Sequence, residues 1–228
     1  MSEIKIYQVG GSVRDELLGV TSKDLDFAVE APSFEAMKKY IEDNGGDIFQ
    51  EKPEFLTIRA RMPKVGPSDY VLCRKEGKYS DGRRPDSTEP GTILDDLSRR
   101  DFTMNAIAKC PDGTLYDPFG GQEDIMNRLI RCVGSTLERF TEDSLRILRA
   151  IRFSITKDFD LDDEILSILD IDCVLNKLNS VSPDRIREEL HKCFAHDTIA
   201  TLWFFERFQH LKYVVFNKMW LKPTTEET

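Results

Sequence analysis

The chain has 228 residues and a formal net charge of −9, with a pI near 5.0. This acidic balance argues against broad, nonspecific nucleic-acid binding, although it leaves room for a local basic groove. No apolar run is long enough to cross a bilayer, and the N-terminal residues lack the regions of a signal peptide. Five scattered cysteines without a C-x-x-C pair are typical of reduced core residues, so we expect a cytoplasmic protein with no membrane partner.

The histidine content limits the classes of metal site that are plausible. Three histidines are too few for a histidine-rich centre. The dipeptide His196-Asp197 suggests a metal-dependent phosphohydrolase, but such sites need further histidines spread along the chain. We therefore reject that class.

The first predicted element is a helix that begins near Ser12, in the stretch QVGGSVRDELLG (8–19). Gly10 and Gly11 precede it. Glycine allows a ligand to approach the backbone closely, and a helix N-terminus presents free N–H groups and positive partial charge, which suits phosphate. The pattern differs from the G-x-G-x-x-G dinucleotide fingerprint, and an ordinary Gly-Gly turn is the alternative.

A strand is predicted next, over 24–30, in the stretch SKDLDFAVEA. Its apolar residues alternate, so Asp24 and Asp26 share the opposite face. Two carboxylates about 7 Å apart on one strand repel each other unless a positive charge lies between them, and a divalent metal ion is the natural candidate. A strand with a solvated outer face is the alternative.

A helix over 33–43 follows, and then strands over 47–50, 55–61 and 69–74. Asp69 begins the last of these strands and is a candidate third carboxylate for the metal centre, with a strand-capping role as the alternative. A glycine-lined helix start and a D-x-D strand together can hold a triphosphate and its metal ions, as two-metal phosphoryl transfer requires.

From about residue 134 the pattern is helical, with helices predicted over 137–155, 161–179, 183–195 and 197–210. Ser182-Pro183-Asp184 is typical of a helix start. The helix over 161–179 carries an apolar stripe and a solvated acidic face. Its stripe comprises Leu161, Ile165, Ile168 and Leu169.

Two clusters in the helical part have a structural and a functional interpretation. In TEDSLRILRAIRF (141–153), Asp143 and Arg146 are three residues apart and are predicted to share one helix face, which Arg149 continues. An intrahelical salt bridge is the alternative. The aromatic residues Trp203, Phe204, Phe205 and Phe208 are predicted to close a hydrophobic core, with a stacking platform for bases as the alternative.

Six motifs follow one another from about residue 8 to about residue 193: GGSVRDELLG…SKDLDFAV, YSDGRRPD, DDLSRRDFTMNAIA, YDPFGGQEDI…RLIRCVG, TEDSLRILRAIRF and SPDRIREELHKC. Together they resemble the class II tRNA nucleotidyltransferases, which are the CCA-adding enzymes, and the similar bacterial poly(A) polymerases. Both groups belong to the polymerase-beta-like nucleotidyltransferase superfamily. The resemblance implies an α+β fold, with a catalytic head of mixed sheet and flanking helices over 1–133, a nucleotide-selecting helical neck over 134–196, and a short helical extension over 197–228.

The resemblance also implies roles for residues of the head. Asp24 and Asp26 would bind two Mg²⁺ ions, with Asp69 as the third catalytic carboxylate. The remaining residues would bind the incoming nucleotide. Gly10, Gly11 and Arg14 would hold its triphosphate, and Arg100, Asp101 and Asn105 would contact its ribose and phosphates, for which guanidinium forks and carboxylate acceptors are suited.

In the neck, the resemblance implies that Glu142 orients Asp143 and Arg146, which act as a protein template for the incoming base. An aspartate acceptor meets an exocyclic amine, which C and A possess and U lacks, so CTP and ATP would be admitted. Arg149 and Arg152 would reach phosphates.

Two loops have counterparts in the same family. The charged segment RKEGKYSDGRRPD (74–86) corresponds to a flexible element that switches specificity from C to A, which favours competence with ATP over a CC-only enzyme. The segment YDPFGG (116–121) corresponds to a spring between head and neck. An ordinary surface loop and a turn are the respective alternatives.

The expected function is addition of C and A to the 3′ end of tRNA from CTP and ATP, with release of pyrophosphate. Poly(A) polymerase, terminal addition to another RNA, and a non-catalytic RNA- or nucleotide-binding protein are the alternatives. Family members continue into body and tail domains, whereas here only a short segment follows the last motif. A minimal enzyme that recognises only the acceptor end, a homodimer or helper protein, another RNA substrate, and a fragment all remain open.

Overall fold

The computed structural model describes residues 4–22, 24–77 and 86–217. These residues form two compact units, one built from the described residues up to 134 and the other from 135–217. Within those ranges, no helix has both the length and the apolar character that a membrane crossing requires. Most of the predicted loop at 74–86 lies outside the described residues, as does the C-terminal end of the chain.

The first unit combines a sheet with short helices. Its strands are β1 (Lys5–Val9), β2 (Asp26–Glu30), β3 (Asp47–Lys52), β4 (Thr57–Met62), β5 (Gly66–Leu72), β6 (Arg74–Glu76), β7 (Thr88–Pro90), β8 (Ala108–Lys109), β9 (Leu115–Tyr116) and β10 (Leu129–Ile130). Its helices are α1 (Gly11–Leu17), α2 (Phe34–Asp43), α3 (Ile93–Ser98) and α4 (Gly121–Met126), with 3₁₀ turns at Pro53–Phe55 and Thr103–Asn105.

The second unit is mainly helical. Its helices are α5 (Thr136–Glu142), α6 (Leu145–Lys157), α7 (Asp163–Ile168), α8 (Asp172–Leu175), α9 (Pro183–His196), α10 (Thr198–Arg207) and α11 (Gln209–Asn217), with strand β11 (Asp160–Leu161) and a 3₁₀ turn at Asn176–Ser180. The predicted fold class, a mixed sheet with flanking helices followed by a helical region, is confirmed.

The main sheet has the strand order β3-β4-β5-β2-β1-β8-β9. Strands β2 and β5 are parallel, whereas β1 pairs antiparallel with β2 and with β8. Both faces of β2 are covered. Val29 packs in a core that includes α2, and Ala28 packs in a second core that includes α3. The strand that carries Asp26 is therefore packed on both faces and lies at the centre of the sheet.

Helix α2 agrees with its prediction over 33–43. The hydroxyl of Ser33 accepts a hydrogen bond from the N–H of Ala36 at 3.1 Å, which caps the first turn. Met37 and Ile41 are one turn apart and fully buried against the sheet. Local capping and apolar spacing therefore act together at this helix.

The strand boundaries differ from the prediction, and two of these differences concern candidate site residues. Strand β2 begins at Asp26, so Asp24 lies just before the strand. Strand β5 begins at Gly66, which puts Asp69 in its middle, and not at its start as predicted. The reason is the β4–β5 hairpin, in which Met62 pairs with Gly66 and extends the ladder towards the turn.

The predicted helix over 137–155 is wrong as a single element. Helix α5 ends at Glu142, and Asp143 has the extended backbone angles φ −142° and ψ 102°. The Asp143 carboxylate accepts a hydrogen bond from the N–H of Leu145 at 3.0 Å, at the start of α6. A short acidic side chain that bonds to nearby backbone competes with helix continuation, which explains the break.

The predicted helices over 161–179 and 197–210 are also broken. Leu161 lies in β11, and the Asp162 carboxylate caps α7 by accepting from the N–H of Ile165 at 2.8 Å. The predicted apolar stripe is nevertheless buried, although it is spread over several short elements. Helix α10 ends at Arg207, and the helix predicted over 183–195 agrees with α9.

The aromatic residues near the end of the described chain divide between core and surface. Phe205 and Phe208 are buried, as the core interpretation predicts. Trp203 is 74% exposed, so the prediction that it closes the core is wrong. All five cysteines are free thiols, and Cys173 is exposed although it was expected in the core.

Candidate functional site

Two aspartates face each other on the neighbouring parallel strands β2 and β5. Asp26 is the direct Cα partner of Asp69, and paired residues in a sheet present their side chains on the same face. Although Asp26 is partly exposed, partial desolvation of its carboxylate raises its pKa, and repulsion from Asp69 adds to the shift, whereas Arg100 opposes it. The tertiary fold therefore brings together two of the predicted catalytic carboxylates.

The third predicted carboxylate, Asp69, has a protein partner of its own. Asp69 forms an ion pair with Arg59, whose Nε lies 3.0 Å from its Oδ1. Across the parts of the chain that the structure describes, no three His, Cys, Asp or Glu side chains are grouped so that they could hold a metal ion. The negative charges of Asp69 and Asp24 nevertheless help to raise the pKa of Asp26, and a divalent cation would relieve this repulsion. Carboxylate oxygens are the ligands that Mg²⁺ prefers. Asp24 and Asp26 therefore suit such an ion.

The glycine turn lies directly beside these carboxylates. Gly10 has φ +73° and ψ −139°, a backbone conformation that strongly favours glycine. A Cβ atom built on Gly10 would lie 3.0 Å from Nη1 of Arg100 and 3.9 Å from Oδ2 of Asp26. Gly11 then begins α1. The backbone of Gly10, a guanidinium and a carboxylate thus converge on one point.

A buried polar chain lies next to this point. Arg14 is 6% exposed, and its Nη1 donates to Oδ1 of Asn105 at 2.6 Å. The amide nitrogen of Asn105 donates to Asp101 at 3.1 Å, and Nε of Arg14 donates to Asp15 at 3.0 Å. The tertiary structure therefore joins residues that the sequence assigns separately to triphosphate and ribose. In this arrangement the guanidinium of Arg14 is engaged by protein partners.

Arg100 depends on a residue that the sequence reasoning missed. Asp96, on α3, is 1% exposed and lies 3.0 Å from Nη2 of Arg100 through its Oδ2. Its other carboxylate oxygen accepts from Arg99. The sequence does contain a sign of this contact, because Asp96 precedes Arg99 by three residues and Arg100 by four, which is the spacing of neighbours on a helix. The same spacing is typical of ordinary surface ion pairs, and the sequence does not show that Asp96 is buried.

In the second unit, the predicted template residues have different partners from those expected. Asp143 and Arg146 do not share a helix face, because Asp143 lies outside α6. Oε2 of Glu142 is 2.8 Å from Nη1 of Arg146, so Glu142 does contact Arg146. Oδ2 of Asp143 accepts from Nη2 of Arg185 at 3.0 Å. Arg185 was not among the predicted site residues, although it lies in the motif SPDRIREELHKC.

The last two predicted arginines of α6 lie against Phe153. The guanidinium carbon of Arg152 is 4.0 Å from the ring centroid, and that of Arg149 is 5.6 Å from it. Arg152 also forms an ion pair with Glu189 on α9, which is 5% exposed. This pair ties α6 to α9, and contact of either arginine with phosphate stays a prediction.

Comparison with known proteins agrees with the motif resemblance. A CCA-adding enzyme of Geobacillus kaustophilus is 37% identical over 201 residues, which cover 85% of this chain and 46% of the relative. The crystal structure of the Bacillus stearothermophilus CCA-adding enzyme in complex with CTP superimposes with a TM-score of 0.71 at 32% identity, over 85% of this chain and 45% of the other.

A third similar protein has been solved with RNA. It is a tRNA nucleotidyltransferase complexed with a primer tRNA and an incoming ATP analogue, and it superimposes with a TM-score of 0.75 at 30% identity, over 92% of this chain and 59% of the other. The present chain spans about half the length of the curated relatives that it matches.

The family profile of the Poly A polymerase head domain matches residues 6–131, which include β1, the glycine turn, the aspartate pair and Arg100. This match covers more than half of the chain. The resemblance that the six motifs predicted is thereby confirmed, and the chain belongs to the Poly A polymerase head-domain family.

Proposed function

We propose that this protein adds C and A to the 3′ end of tRNA, using CTP and ATP and releasing pyrophosphate. The observation that carries the proposal is the convergence of the Gly10 backbone, the Asp26 carboxylate and the Arg100 guanidinium on one point. Such a point joins a phosphate-binding backbone and cation to a metal-binding carboxylate. Similarity to CCA-adding enzymes supports the choice of tRNA, CTP and ATP.

The family is one of metal-dependent nucleotidyltransferases. We propose two Mg²⁺ ions, with Asp24 and Asp26 as the residues that hold them and Asp69 as the third catalytic carboxylate. When bound, the metal ions would activate the attacking 3′-hydroxyl and neutralise charge on the leaving pyrophosphate. For Asp69 to take part, its carboxylate would have to give up its ion pair with Arg59.

The chain's own residues would orient the nucleotide. Free N–H groups at Gly10 and Gly11 and the guanidinium of Arg100 would hold the triphosphate, since both present donors to phosphate oxygens. Asp101 and Asn105 would support the ribose. This positioning aligns the α-phosphate with the attacking hydroxyl, which is the main contribution a protein makes to phosphoryl transfer.

We further propose that Asp143 and Arg146 select the base. The Asp143 carboxylate would accept from the exocyclic amine of C or A, while the Arg146 guanidinium would donate to a ring acceptor. Replacement of Arg146 by Ala should reduce the preference for CTP over UTP more than it raises the KM for both nucleotides together. An unchanged preference in competition assays would exclude the selecting role.

The test of function uses three tRNA transcripts that lack CCA, end in C, or end in CC. Each is incubated with the protein, Mg²⁺ and labelled nucleotides, and the products are resolved at single-nucleotide resolution. We expect addition that stops after CCA is complete. Asp26→Asn should abolish incorporation, whereas the matched change Asp43→Asn on α2 should leave it intact.

A second candidate function is poly(A) polymerase, because the matching family profile is that of a Poly A polymerase head domain. Long A-tails on any RNA in the same assay would establish it. Absence of incorporation, combined with Mg²⁺-dependent nucleotide binding, would establish the non-catalytic alternative.

A partner that shares the recognition of tRNA is a further testable proposal. We propose a second copy of the chain or a helper protein in that role, and light scattering of the protein with and without tRNA tests the first. Location in the cytoplasm stays a prediction.

A further inference from the structure

Asp96 is the most deeply buried carboxylate beside the candidate site. It lies on α3 and is 1% exposed. Its Oδ1 accepts from Nε of Arg99 at 3.1 Å, and its Oδ2 lies 3.0 Å from Nη2 of Arg100. One carboxylate therefore binds two adjacent arginines, with one oxygen for each.

The charge of Asp96 is stabilised by these contacts. Burial alone would raise its pKa, but Arg99 and Arg100 outweigh burial and hold the pKa below its ordinary value. Asp96 is therefore ionised at neutral pH. A buried carboxylate whose two partners are both cationic forms charge-assisted hydrogen bonds with them, which are stronger than bonds between neutral groups.

Few other contacts orient the guanidinium of Arg100. Its Nη1 donates to the carbonyl oxygen of Asn105 at 3.3 Å, and its Nε is buried without a hydrogen-bond partner among the described residues. The same Nη1 is the atom that lies 3.0 Å from the position of a Cβ on Gly10. Asp96 therefore holds the guanidinium through Nη2, whereas the other terminal nitrogen, Nη1, lies next to the glycine turn.

The second arginine connects this contact to strand β6. Nη1 of Arg99 is 3.4 Å from Oε1 of Glu76, and Nη2 of Arg74 is 2.7 Å from the same oxygen. Glu76 ends β6, the strand that leads towards residues 78–85. A continuous series of ion pairs thus runs from β6 through Asp96 to Arg100.

We propose that Asp96 is a positioning residue that fixes Arg100 in the orientation required to bind the phosphates of the incoming nucleotide. The inference rests on the proposed function in one respect, namely that Arg100 contacts the nucleotide. Asp96 itself would touch no substrate. A positioning residue of this kind acts only through its partner, and that property is measurable.

The experiment measures the Kd of CTP in the presence of Mg²⁺ by calorimetry, together with the Tm. The proteins are the wild type, Asp96→Asn, Arg100→Gln and the double variant. Asp95→Asn is the matched control, because it removes a carboxylate from the adjacent position of the same helix and leaves the arginines paired. We expect Asp96→Asn to raise the Kd about tenfold and Asp95→Asn to change it less than twofold.

The double variant separates positioning from general destabilisation. If Asp96 acts through Arg100, Asp96→Asn should not raise the Kd further once Arg100→Gln is present. An equal rise in both backgrounds, or a wild-type Kd for Asp96→Asn, overturns the proposal. Should Asp96→Asn fail to fold, Asp96→Glu replaces it, because it keeps the charge but displaces Arg100, and the same cycle applies.

The outcomes distinguish this inference from the proposed function. If the wild type binds CTP and the cycle is non-additive while no RNA is extended, the inference holds and the proposed function fails. If RNA is extended while Asp96→Asn binds CTP normally, the function holds and the inference fails. A wild type that does not bind CTP refutes both.

Discussion

Replacement of Gly10 by Ala should damage both stability and nucleotide binding. The backbone at Gly10 has φ +73° and ψ −139°, where an L side chain is strained by about 1–3 kcal/mol. For a chain of this size, each kcal/mol lowers the Tm by about 2–4 °C, so the expected fall is roughly 2–12 °C. The new Cβ would also lie 3.0 Å from Nη1 of Arg100, which must move.

Two other glycines separate these effects. Gly11 lies within α1, and a Cβ there meets only ordinary contacts with Arg14 at 3.4 Å or more. Gly11→Ala should therefore leave the stability unchanged or raise it by up to about 1 kcal/mol. Gly19 has φ +73° and no atom within 4 Å of its Cβ position, so Gly19→Ala carries the backbone strain without the contact.

The assay combines thermal unfolding by circular dichroism with calorimetric titration of CTP and Mg²⁺. Gly10→Ala and Gly19→Ala should both lower the Tm, but only Gly10→Ala should weaken CTP binding. A Tm for Gly10→Ala equal to that of Gly11→Ala would refute the strain argument. An unchanged Kd for Gly10→Ala would refute the contact with Arg100.

Three further predictions concern stability and reactivity. A hydrogen bond from backbone N–H holds the pKa of Asp95 below its ordinary 3.8, so its charge stabilises the fold above that pH and the contribution is lost as the pH falls. Asp95→Asn should thus cost about 0.3–1 kcal/mol at pH 7 in urea titrations and progressively less below about pH 4, and a constant difference would contradict this. Arg152→Gln leaves the Glu189 carboxylate buried and unpaired from Arg152, so it should lower the free energy of unfolding by about 3 kcal/mol, whereas a loss below about 1 kcal/mol would show that the pair is dispensable. Burial raises the pKa of Cys193 to about 11, so iodoacetamide at pH 8 should label exposed Cys173 first in mass spectrometry, and equal labelling of the two would refute the burial.

Local patterns predicted several parts of the candidate site correctly. A helix does start at the glycine pair, with Gly10 before it and Gly11 as its first residue, and Asp26 does lie on a strand, although that strand begins two residues later than predicted. These features depend on the conformational freedom of glycine and on alternation along a strand, which act over a few residues. The order of the six motifs predicted the family, which the head-domain match confirms.

The same local reasoning failed where a side chain competes with the backbone. The apolar spacing around 137–155 predicted one helix, but the Asp143 carboxylate accepts from backbone N–H and separates α5 from α6. The spacing of apolar residues carries no information about hydrogen bonds between side chains and the backbone. The expected shared face of Asp143 and Arg146 was lost for that reason.

By itself, the sequence determined where glycines, aspartates and arginines recur in an order typical of one family. Only the tertiary structure decided which of them meet. Asp26 faces Asp69 because β2 and β5 pair in parallel register, and Asp69 contacts Arg59 because β4 pairs on its other side. Asp96 became a candidate positioning residue only because packing buries it against two arginines. Strand register and burial depend on contacts between residues far apart in the chain, which a local pattern does not contain.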